Sequence, residues 1–259
     1  MIKRWNFELY TMKYLGTREY GEIVLNAVSR FPRKFKPTKI EIIPSFTKKL
    51  ISDCSRDEIL TLFEAEAIPS HSIGITFYKV QNKLEFTANW DKWDMSDGKL
   101  PYNGIGFCTN DIQSFDKKSF QAFYEIWLLL CEQCHAEWGY IYGIESYNVR
   151  PRGQGYCLPR LHYITYFGEK YCTAFKLKDK TIPNVEIEYL DNGAATLTFQ
   201  ADPAQLIEPN DLEKQAINIL GSEYFWNEKD NRRSPKFKYR LPDFDLSEVL
   251  IDFIEYEES

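Results

Sequence analysis

No stretch of this 259-residue chain approaches the 18 consecutive apolar residues of a membrane-spanning helix. The longest greasy run, residues 126–131, is far too short, so no membrane partner is expected. The opening residues, MIKRWNFELYTMKYLG, lack the apolar core and small-residue cleavage site of a leader, so no signal peptide is expected. Without an export signal the six cysteines read as reduced thiols, and a cytoplasmic location follows as the expectation. Histidines number three, too few and too isolated for a triad legible in sequence. GxSxG, HExxH and GxxxxGK[ST] are all missing, which argues against the common hydrolase, zinc-protease and nucleotide-binding sites. Zinc would need a second Cys-x-x-Cys or a His pair, and neither occurs. No catalytic residue, metal or cofactor is therefore expected.

What is present is aromatic and acidic. Phe, Trp and Tyr make up 16% of the chain, which favours well-packed sheets with aromatic surface for partners. The net charge of −6 disfavours nucleic acid as a partner and suits a basic one. Cys131-Glu-Gln-Cys134-His135 has the spacing of a haem-attachment motif. It sits within an amphipathic helical pattern over residues 115–137, whose stripe runs Phe120, Phe123, Tyr124, Trp127, Leu128, Cys131 and His135, so a buried helix face is the simpler reading.

Helix signals recur elsewhere. Thr17 caps a pattern running to Arg30, Ser55 with Glu58 forms a capping box, and Asn210 with Glu213 caps a helix closed by Gly221. Strand-like alternation marks residues 5–15, 39–44, 72–80, 83–90, 103–109 and 140–145. The clearest local signal is the pair of alternating runs Val185-Glu-Ile-Glu-Tyr189 and Ala195-Thr-Leu-Thr-Phe199 around Asn192-Gly193. An Asn-Gly pair in that place predicts a hairpin with a type I′ turn. The expected fold class is α+β: mostly antiparallel sheet packed by three to four helices in a single globular unit spanning 1–259. A sub-boundary is expected near 147–160, where two Pro and two Gly fall together, giving halves 1–146 and 161–259. Tyr14-Leu15-Gly16 and Tyr166-Phe167-Gly168 each precede a helix, with a short strand some 20 residues on. That echo leaves two readings open, related halves or chance.

For binding, the polar loop after residue 90 places Trp90 and Trp93 beside Asp91, Asp94 and Asp97. Aromatic anchors with carboxylates suit a protein interface, and this is the expected exposed partner-binding patch. A calcium loop would need ligand spacing that this stretch lacks. Arg150, Arg152 and Arg160 with nearby glycines suggest an anion cradle, but a solvated loop is simpler, as is a solvated linker for the basic cluster at 229–240.

The C-terminal half carries an order of features with a counterpart. After residues 115–137 come Tyr163, Tyr166, Phe167 and Gly168, then Gly193, Pro203, Leu220-Gly221 and Pro242-Asp243-Phe244. Over residues 115–250 this resembles the immunity proteins of bacterial polymorphic-toxin and type VI secretion systems, in particular a group with a W/Y-x-x-Y-F/L-G segment. Here His162-Tyr163 stands where that group often has Trp, and the hairpin is shorter and more acidic. The resemblance implies a cytoplasmic α+β protein, monomer or homodimer, that neutralises a cognate toxin by covering its active site or binding nearby. It implies no catalytic residues, and Tyr163, Tyr166, Phe167, Gly168, Asn192 and Gly193 then form a structural motif. Two other classes stay open. One is a small enzyme or nucleotide-handling protein with a site around Cys157, His162, Tyr163 and Glu169, and the other is a structural protein of a defence locus.

Overall fold

One row of apolar side chains crosses most of the molecule. Ile40, Phe77, Phe86, Phe107, Phe7, Ile141 and Ile164 are successive register partners in neighbouring strands. Those strands belong to a ten-stranded sheet seen in a computed structural model that describes residues 1–43, 45, 47–64, 73–79, 83–93, 101–145, 157–227, 229 and 239–250. In chain order they are β1 (Arg4–Thr11), β2 (Lys39–Ile43), β3 (Thr47–Leu50), β4 (Ile73–Lys79), β5 (Leu84–Trp90), β6 (Asn103–Thr109), β7 (Ala136–Ile144), β8 (Ile164–Phe167), β9 (Val185–Tyr189) and β10 (Ala195–Phe199). Their order across the sheet is β3-β2-β4-β5-β6-β1-β7-β8-β10-β9, and every neighbouring pair is antiparallel.

Among the described residues five α-helices pack against it: α1 (Arg18–Ser29), α2 (Arg56–Phe63), α3 (Lys117–Gln133), α4 (Glu169–Ala174) and α5 (Asp211–Leu220). The expected α+β class with antiparallel sheet is what forms. Each cap signal works as its chemistry requires: Thr17 accepts from the Tyr20 amide, Ser55 and Glu58 exchange both bonds of a capping box, and Asn210 accepts from the Glu213 amide.

Strand side chains alternate between faces, so the two sides of the sheet differ. On the side of the apolar row, α1, α2 and α3 bury Val24, Ala27, Leu60, Phe63, Phe123 and Trp127 against it. On the other side, the half around β7, β8 and β10 has a second core. There Tyr140, Trp138 and Phe167 meet Tyr171 and Phe175 of the α4 segment and Ala216 and Leu220 of α5. These two packings leave the second face of β4, β5, β6 and β1 uncovered by any of the described helices.

The sequence echo has a topological counterpart. β1 enters α1 and the chain returns through β6 beside β1; β8 enters α4 and the chain returns through β10 beside β8. Both β1 and β8 are antiparallel to β7, so they run parallel to each other. Their helices lie on opposite faces and their excursions go to opposite sides. That is the arrangement a two-fold axis along β7 generates, with a shorter excursion in the second half.

Two local expectations need correction, and one motif glycine finds its reason. The hairpin of β9 and β10 forms, but its turn is not type I′: of Asn192 and Gly193, only Gly193 has positive φ, at 82°. The Gly193 amide donates to the Leu190 carbonyl, and Asn192 Oδ1 accepts from the Ala194 amide. A type I turn followed by a left-handed glycine closes the loop. Gly168 has an ordinary φ of −64°, and glycine is required there because a Cβ would lie 2.7 Å from the Ala136 carbonyl oxygen. Finally, α3 ends at Gln133, so His135 leaves the buried stripe and stands exposed with φ of 50°. Cys131 and Cys134 are fully buried, and burial pushes the Cys134 thiol up to about 12.

Candidate functional site: a polar cleft on the open sheet face

The uncovered face is concave and polar. Its cleft has a volume of about 540 Å³ and is floored by β6, with β1 on one side and β5 on the other. The local reason is the pattern of β6, Asn103-Gly-Ile-Gly-Phe-Cys-Thr109. Ile105 and Phe107 point into the apolar row, while Gly104 and Gly106 face the cleft and leave its floor without side chains. A Cβ on Gly106 would make only ordinary contacts, at 3.5 Å to Glu8 Cγ and 3.7 Å to the Phe7 carbonyl oxygen, so a methyl fits there without a clash.

Across that floor the strands present polar rows. Asn6 and Glu85 flank Cys108; Glu8 and Thr87 flank Gly106; Tyr10 and Asn89 flank Gly104. Glu8 is held from two directions, its Oε2 accepting from Tyr10 Oη and its Oε1 from Tyr142 Oη, each at 2.6 Å. Burial first, and the Glu8 charge second, push both phenols well above their ordinary range, so both stay donors. Tyr102, at the far end, is pushed up to about 12 by the same two causes in the same order. Burial likewise pushes the Cys108 thiol up to about 12, with Arg4 pulling the other way. Arg4 Nε donates to Asn6 Oδ1 at 2.9 Å.

Three donors of residues that line the cleft lack an acceptor among the described residues. Asn6, only 5% exposed, has its Nδ2 unpaired, and so do Trp90 and Trp93 at Nε1. A buried donor without a partner costs about 1–3 kcal/mol. The closed end is built by Asn103, whose Oδ1 accepts from the Asp91 amide at 2.6 Å and whose Nδ2 donates to the Lys13 carbonyl at 2.9 Å.

The expected patch of Trp90, Asp91, Trp93, Asp94 and Asp97 is only partly an exposed feature. Trp90 is 1% exposed because it extends the inward alternation Leu84, Phe86, Ala88 of β5 and stacks on Phe63 at 5.2 Å. Asp91 is 7% exposed at the end of the cleft. Trp93 is half-buried, stands 5.8 Å from Tyr102, and donates its amide to the Val249 carbonyl. Asp94 and Asp97 lie outside the described residues, as do His71, Arg150 and Arg152. Sequence reasoning thus reached the rim and missed the floor. The signals it passed over were the alternating glycines of β6 and the polar series Arg4, Asn6, Glu8 on a strand that turned out to be central.

Other candidates resolve into structural roles. Arg160 is no anion cradle: its Nε donates to Glu213 Oε1 at 3.0 Å and its Nη atoms reach the Leu206 and Ile207 carbonyls. Burial still pushes the Glu213 carboxyl up, with Arg160 opposing it. His162 is buried against Tyr140 and Tyr142, and burial holds its pKa well below the ordinary value. Tyr163 packs on Trp5 and Phe120, whereas Glu169 is exposed beside Gly193. Cys157 is buried at 4% exposure. His162 and Cys157 both neighbour Tyr140, and none of these four side chains lines the cleft. Of the motif residues, Tyr166 and Phe167 are core, and Asn192 Nδ2 donates to Tyr166 Oη.

Among the described residues no helix is long and apolar enough to cross a membrane. No family model matches the chain, and no curated protein does. Among solved structures it is similar to a Pseudomonas aeruginosa T6SS protein, with a TM-score of 0.59 at 11% identity. The match covers 98% of this chain and 83% of that one. At that identity the likeness is one of fold.

Proposed function

We propose that this chain is a non-enzymatic, cytoplasmic immunity protein that binds a bacterial toxin and neutralises it, using the open face of the sheet. The observation that carries the reading is the cleft itself: a preformed, polar, aromatic-walled depression on the sheet face that the described helices leave open, whose described lining includes the carboxylates Glu8 and Glu85. A net acidic concavity complements a basic protein surface and speeds its association. The fold likeness to a T6SS protein and the resemblance over residues 115–250 support the same reading.

The test is co-expression with the products of the genes that flank this chain's own, each first scored alone for growth arrest. The expected outcome is restored growth and a complex that survives gel filtration. Growth arrest undiminished by this chain, with no complex, would remove the proposal.

A further inference from the structure

Glu8 and Glu85 stand on strands two spacings apart, roughly 10 Å, with only Gly106 and Cys108 between them on the floor. The Glu8 carboxylate is already oriented by two tyrosine hydroxyls, and each of its oxygens retains a lone pair for a further donor. Tyr10, Tyr102 and Tyr142 supply ring faces and edges around it. A carboxylate fixed among aromatic rings above a bare floor is suited to an organic cation, which gains from both the charge and the rings. The unpaired donor Asn6 Nδ2 asks in addition for an acceptor, which a main-chain carbonyl provides. Together these describe a basic residue presented on a stretch of polypeptide.

We infer that the cleft receives an arginine or lysine side chain of the partner protein, its cation lodged over Gly106 between Glu8 and Glu85 and a main-chain carbonyl of the same stretch meeting Asn6. This rests on the reading of the open face as the binding face, and names what that face recognises.

The experiment uses the full chain and four capped tripeptides, acetyl-Gly-X-Gly-amide, with X as arginine, lysine, citrulline or glutamate. Amide chemical shifts are followed by titration. The arginine or lysine peptide is expected to move the Gly104, Gly106 and Cys108 resonances, whereas citrulline, which keeps the shape and loses the charge, does not. Glu8→Gln and Glu85→Gln together are expected to weaken the effect about tenfold, on the scale of a lost charge-assisted contact. Equal shifts from citrulline, shifts from the glutamate peptide alone, or no shifts at Gly104 and Gly106 would overturn the inference. Failure of the inference is separable from failure of the binding face. A Gly106→Trp variant that loses the toxin while the double Gln variant keeps it would overturn the cation assignment and leave the face standing.

Discussion

Single residues in this protein carry charge into places where its protonation matters. Burial pushes the Glu137 carboxyl up to about 7, with Lys170 and Lys13 opposing and Glu169 adding. The folded state therefore holds this proton more tightly than the unfolded chain does. Its contribution to stability is present at acidic pH and is lost as pH rises through about 7. Denaturation midpoints taken from pH 5 to 8 are expected to fall across that window, and Glu137→Gln to flatten the decline. A profile identical in both proteins would contradict this assignment. Arg160 makes a different case, because its loss strands Glu213, whose side chain is only 3% exposed. Arg160→Met is expected to cost about 3–5 kcal/mol, and adding Glu213→Leu to recover most of it. Denaturant titration of the single and double variants reads both values.

At the scale of elements, the stacked rings Phe7, Phe107 and Phe86 tie β1, β6 and β5 together, with centroids 4.9 and 5.6 Å apart. Phe107→Ala opens a cavity in the middle of that stack and is expected to cost about 3–5 kcal/mol, measured as a lowered denaturation midpoint. Legibility in the sequence followed the range of the interaction. Helix caps, the β9–β10 hairpin and the alternation of β4 and β5 are set by residues close in sequence, and each was readable. Thr47-Lys-Lys-Leu50 gives no apolar signal because all four residues are exposed on an edge strand, where Lys48 pairs across to Glu41. The left-handed residue at Gly193 needed φ information that Asn-Gly alone does not give. Trp90 is expected in an exposed patch because the residues that follow it are polar, although the alternation of its own strand assigns it to the core.

For the molecule as a whole, the cleft is a consequence of unequal halves. α4 and α5 cover one end of the second sheet face and the described helices leave the other end bare, an imbalance that no local pattern announces. The glycines of β6 and the polar side of β1 become informative only when the sheet order places them side by side. The account therefore turns on whether that bare face is where the partner sits. Gly106→Trp fills the floor, while Gly106→Ala adds one methyl within ordinary contact distances. Titration calorimetry against the co-expressed toxin is the direct measurement. The account predicts that Gly106→Trp weakens binding at least about thirty-fold, the size of a hot-spot loss, with Gly106→Ala close to the parent and both variants folded. Full affinity in a folded Gly106→Trp protein would contradict it.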